Sequence, residues 1–120
     1  MTVPHVPILS PAQLPISLGT PLDGRSKTVV SDLINPHGFV VFRGYGVSSD
    51  QEFHDFIECF GLPNFTYAES FSNAVRRNRT PRVFTANEAP PEIEIFLHHE
   101  MAQTLVFPGQ LFFFCEQAPT

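Results

Sequence analysis

The 120-residue sequence has no tryptophan, only two cysteines and only seven basic residues. Each scarcity removes a class of function. Cys59 and Cys115 have no zinc-finger spacing and do not suggest a disulfide framework. One lies in a helix-like and one in a strand-like apolar pattern, so both are expected as small buried hydrophobes in a reducing compartment. Arg76, Arg77, Arg79 and Arg82 form the one basic cluster, and it is interrupted by Asn78 and by Thr80-Pro81. With a net charge of −5, this is not the extended phosphate-facing surface that general nucleic-acid binding needs. No run approaches the ~20 apolar residues that span a bilayer as a helix, so neither nucleic acid nor membrane is an expected partner. The opening MTVPHVPILSPAQLP carries four prolines and no basic n-region, which is unlike a signal peptide. A soluble cytoplasmic protein is the expectation.

Phenylalanine, at 13 residues, and proline, at 12, are plentiful. The first suits the interior of a β-sandwich or barrel, and the second cuts the chain into short elements. The length suits one small domain with a single core. Residues 1–22 are Pro-rich without a helical period, and are expected to lie extended over a larger body. Ser26 to Asn35 has a helical face of Val29, Val30, Leu33 and Ile34, which Asn35-Pro36 should end because a residue before proline avoids the α region. FVVFRG, closed by Gly44 and Gly46, reads as a short strand.

Ser49 and Glu52 form an S-x-x-E capping box. Phe53, Phe56, Ile57 and Phe60 follow at helical spacing, with Gly61 placed for a left-handed cap and Pro63 to prevent continuation. Residues 64–82 are polar and read as a loop that covers or lines a site, with Tyr67 and Glu69 in a candidate lid. From Val83 the pattern becomes β: VFTA, EIEIFLHHE, TLVF and QLFFFC, separated by breaks that include Pro90-Pro91 and Pro108-Gly109. Helices followed by strands predict an α+β fold, or a β-barrel with helices at one end. The run LFFFC is expected to pair with a further strand, and left unpaired it favours self-association.

Chemistry concentrates at IFLHHEM, residues 95–101. On a strand, His98 and Glu100 share one face and His99 takes the other. A His-x-carboxylate pair can supply two of the three protein ligands of a non-haem Fe(II) facial triad, which leaves neighbouring coordination positions open. The triplet alone has little specificity, and its plainer reading is an exposed edge strand with polar side chains.

The surrounding residues add a resemblance. GFVVFRGYGVSSDQEFHDFIECFG, TYAES and TPRVFTANEAPPEIEIFLHHEMAQTLVFPGQLFFFCEQAP together resemble the taurine dioxygenase family, in its clavaminate synthase-like, amino-acid-hydroxylating branch. The likeness covers most of the chain from Gly38 onward, with Thr85, Glu88, Pro90, Ile95, Leu97, His98, Glu100 and Met101 in the family's order. It implies the N-terminal portion of a double-stranded β-helix, or jelly roll, spanning residues 23–120 as an incomplete barrel with two flanking helices. It implies an Fe(II)- and 2-oxoglutarate-dependent dioxygenase that oxidises, by hydroxylation, a small amino-acid-like substrate. His98 and Glu100 would be iron ligands, and the retained carboxylate points away from halogenation.

His99 stands where the family often has Asn, which leaves it either in contact with the metal ligands or facing outward. Thr85 and Glu88 are candidates to line the cavity. The second histidine ligand and the arginine that clamps 2-oxoglutarate come later in the family, and neither has a position in residues 1–120. His5, His37 and His54 read as ordinary surface residues, Arg43 as a loop anchor or ligand contact, and Arg79 and Arg82 as solvated or anion-binding. Two readings follow: the N-terminal part of a dioxygenase, or a truncated, non-catalytic chain acting by association. A Gly-Gly-x-Thr turn followed by His and Arg beyond Thr120 would separate them.

Overall fold

The computed structural model describes residues 5–66 and 75–120. Tyr67 and Glu69 of the candidate lid lie outside the described residues, as does the TYAES block apart from Thr66. The chain divides into two compact units, Met1–Leu62 and Pro63–Thr120.

In the first unit the described elements are strand β1 (Ile8–Leu9), helix α1 (Gly24–His37), strand β2 (Val41–Phe42) and helix α2 (Asp50–Glu58). Strand β1 pairs in parallel with β2, Ile8 opposite Val41 and Leu9 opposite Phe42. The ladder is closed by Val41 N–H donating to Pro7 O at 2.9 Å and Arg43 N–H to Leu9 O at 2.8 Å. Pro7 can take part because its position requires only an acceptor. Pro7, Leu9, Leu14 and Leu22 of the Pro-rich segment are buried. Ser10 and Gln13 close a turn that aims Leu14 inward, and the Tyr45 hydroxyl donates to Leu14 O at 2.8 Å. Burial raises the pKa of that hydroxyl above its ordinary 10.0. Leu22 N–H donates to Cys59 O at 2.8 Å, tying the entrance of α1 to the end of α2.

Helix α1 starts at Asp23, whose carboxylate accepts from Ser26 N–H at 2.7 Å. That bond holds the carboxyl below its ordinary 3.8. The helix passes through Pro36 and ends at Gly38, later than the Asn35-Pro36 boundary the sequence predicts. In the last turn a proline removes only one helical hydrogen bond. Gly38 then supplies the stop, adopting φ 78° and donating to Ile34 O at 2.7 Å.

Helix α2 forms as its capping box predicts. Ser49 Oγ accepts from Glu52 N–H at 3.2 Å. The returning bonds come from Ser48, whose N–H and hydroxyl donate to the Glu52 carboxylate at 2.8 and 2.7 Å and lower its pKa from 4.5. Phe56, Ile57 and Phe60 are buried, and Gly61 takes φ 65°. Phe42, Tyr45, Phe56 and Phe60 form an aromatic cluster with ring centroids 5.2–5.8 Å apart, mostly edge-on, the arrangement that ring quadrupoles favour. Cys59 is free and buried, donating to Ser17 O and Asp55 O.

The second unit departs from expectation. Among the described residues, the four β runs after Val83 form no strand, only an isolated antiparallel bridge between Asn78 and Phe84. The barrel strands of the expected jelly roll are therefore not seen among the described residues. The physical reason is non-local: a strand is held by a ladder to a neighbour, and no described segment pairs with residues 94–99 or 105–115. Phe96, Leu97, Leu105, Val106 and Phe113 are consequently exposed. Cys115, expected to be buried, is exposed for the same reason. Period-two alternation nevertheless survives at the end, with Phe112 and Phe114 half-buried and Leu111, Phe113 and Cys115 exposed.

Candidate metal centre

The site begins with an arginine-bearing hairpin. Residues 75–80 run antiparallel to 83–88 through Arg79 N–H to Val83 O at 2.7 Å, Thr85 N–H to Arg77 O at 3.0 Å and Glu88 N–H to Val75 O at 2.9 Å. Thr80 makes the corner, its hydroxyl oxygen accepting from the N–H groups of Arg82 and Val83. Residues 75–80 of the segment read as a loop thus form one arm of this hairpin. Thr85 Oγ1 accepts from Arg77 N–H at 3.0 Å, and the Glu88 carboxylate pairs with Arg77 Nε at 3.0 Å. Both candidate cavity residues are engaged with the hairpin itself.

His98, His99 and Glu100 lead into a tight double turn. Ala102 N–H donates to His99 O, and Thr104 N–H and hydroxyl both donate to Met101 O. Met101 reverses the chain with φ 59°, a left-handed conformation that is costly for a side chain with a Cβ, and its own side chain is buried. The two histidines separate. His98 Nε2 lies 4.0 Å from Glu100 Oε2, whereas the His99 ring packs edge-on against Phe107, centroids 5.2 Å apart, with Nδ1 at 2.9 Å from Glu100 backbone O. The sequence leads to an expectation of strand alternation here, but the described residues of this segment form no strand and the separation accompanies a turn.

The donor atoms suit a cation. His98 Nδ1 is 2.7 Å from Phe96 O. A carbonyl only accepts, so Nδ1 carries the proton in the neutral ring and Nε2 presents its lone pair towards Glu100. Glu100 is divided: Oε2 faces His98, while Oε1 takes an ion pair with Arg76 Nη2 at 3.2 Å. Arg76 is a residue that sequence reasoning did not single out. It was legible only as one arginine of a cluster, because its partner stands 24 residues away. An imidazole nitrogen and a carboxylate oxygen fit Fe(II) as two of its protein ligands. Among the described residues, no group of three His, Cys, Asp or Glu side chains converges to complete a set.

The model of the taurine catabolism dioxygenase TauD, TfdA family matches residues 5–120. The chain belongs to that family. As a TauD, TfdA member it is 41% identical to a clavaminate synthase-like protein of Arabidopsis thaliana, over 97% of this chain and 37% of that protein. It is 27% identical to a dapdiamide synthesis protein of Enterobacter agglomerans, over 96% of this chain and 33% of that one. The chain thus spans about a third of the length of the curated relatives it matches. No solved structure matches it. Membership implies a jelly roll, of which the described residues show two helices and a two-stranded parallel sheet. The family is one of oxygenases using Fe(II) and 2-oxoglutarate. Among the described residues no helix is long and apolar enough to cross a membrane.

Proposed function

We propose that the chain is the N-terminal part of a cytoplasmic Fe(II)- and 2-oxoglutarate-dependent dioxygenase that hydroxylates a small amino-acid-like substrate, with His98 and Glu100 as two of its iron ligands. The observation that carries this reading is the paired lone-pair nitrogen and carboxylate oxygen, 4.0 Å apart, in a member of that family. Bound iron would supply the oxidative chemistry, with dioxygen as the four-electron oxidant: one oxygen atom would go to succinate as 2-oxoglutarate loses CO2, and the other to the hydroxylated substrate.

The chain's own residues prepare the coordination. Phe96 O holds His98 Nδ1, so that in the neutral ring Nε2 is the nitrogen left to coordinate. Glu100 contributes the negative charge, with Oε1 paired to Arg76 and Oε2 turned towards His98. His99, turned onto Phe107, shapes the turn and is not a ligand in this scheme. Thr85 and Glu88 act by bracing the hairpin that carries Arg76 and Arg77.

The test is Fe(II)-dependent succinate release from 2-oxoglutarate by the enzyme that includes this chain. His98→Ala is expected to abolish it, and unchanged turnover would overturn the assignment. A second reading, a non-catalytic chain acting by association, is supported by exposed Leu111 and Phe113. The same assay separates the two: the second reading stands if the complete protein releases no succinate.

A further inference from the structure

Arg76 lies on the hairpin arm that the fold sets against Glu100. Its Nη2 is 3.2 Å from Glu100 Oε1, and the two side chains are only 21% and 20% exposed. An ion pair so largely withdrawn from water is screened far less than a surface pair. The contact leaves an asymmetric carboxylate, with Oε1 occupied by a guanidinium and Oε2 directed to the lone-pair side of His98. A carboxylate with a free side chain would have to be ordered when a cation binds, whereas this one is ordered beforehand. The hairpin hydrogen bonds on either side of Arg76, between Glu88 and Val75 and between Thr85 and Arg77, hold the arm in place.

We propose that Arg76 is a positioning residue for the metal centre: it holds Glu100 Oε1 so that Oε2 is presented to a divalent cation beside His98 Nε2. The proposal rests on the reading of His98 and Glu100 as ligands. Two effects compete here. Ordering the carboxylate favours the cation, while the guanidinium charge opposes it. Hydrogen-bond partners of metal ligands typically contribute 10- to 100-fold to metal affinity, and the geometry puts ordering ahead, because Arg76 reaches the far oxygen of Glu100.

The experiment is calorimetric titration of the chain with Ni(II), which N/O donors bind more tightly than Fe(II). Far-UV circular dichroism on each variant reports the fold. Arg76→Ala is expected to weaken Ni(II) binding about 10- to 100-fold, with loss below detection counting as the same result. Arg76→Lys, which keeps a cation that can reach the carboxylate, is expected to recover most of it. Tighter or unchanged binding in Arg76→Ala would overturn the proposal and make Arg76 a competitor of the metal or a bystander. Arg76→Lys as weak as Arg76→Ala, with the helical signal intact, would also overturn it. His98→Ala separates the two levels of the argument. If His98→Ala leaves Ni(II) binding unchanged, the ligand assignment fails; if only Arg76→Ala does, the positioning role alone fails.

Discussion

The two units of this chain carry similar amounts of apolar sequence and use it differently. In Met1–Leu62, Leu9, Leu14, Leu22, Val30, Phe56, Ile57, Cys59 and Phe60 are buried. In Pro63–Thr120, Val83 and Met101 are the buried apolar residues among those described, and a longer series of large apolar side chains is exposed. The difference is one of range. The first unit is assembled from helices with local start and stop signals, and its short parallel ladder joins Ile8–Leu9 near its start to Val41–Phe42 between the two helices. The second is made of runs whose partners must be strands, and strand pairing is non-local. Apolar content predicts burial only where the element that carries it can form.

Two phenylalanines put this contrast to the test. Phe56 is 5% exposed at the centre of the aromatic cluster, and Phe113 is 85% exposed. Phe56→Ala is expected to cost about 3–5 kcal/mol, read as early loss of helical signal in denaturant. Phe113→Ala should stay within about 0.5 kcal/mol. Similar effects from the two would break the comparison. A smaller effect sharpens the local side of it: Ser49→Ala removes the cap of α2 and is expected to cost about 0.5–2 kcal/mol, measured by the same unfolding. No loss would mean that burial of Phe56 and Ile57 alone specifies that helix.

The same distinction decides what could be read from the sequence. Helix α2 was legible from Ser49 to Gly61 because each signal lies within a few residues of the next. Helix α1 was legible in its body but not at its ends: it starts at Gly24, capped by Asp23, rather than at Ser26, and Gly38 rather than Pro36 sets the stop. Strand β1 was hidden among prolines, since Ile8-Leu9 is too short to show a period and its partner is distant. At the site, alternation along a strand was the expected cause of the separation of His98 from His99, but no strand forms there and the separation accompanies a turn. Arg76 was hidden because nothing local links it to Glu100. The later β runs have strand-like patterns, but among the described residues none of them forms a strand, because pattern does not supply a ladder.

The separation of the two histidines is the central claim, and pulsed electron paramagnetic resonance of the chain loaded with Mn(II), a redox-stable stand-in for Fe(II), tests it most directly. The account predicts an imidazole nitrogen modulation that persists in His99→Ala and disappears in His98→Ala. Persistence of the modulation in His98→Ala, or its loss in His99→Ala, would contradict the account.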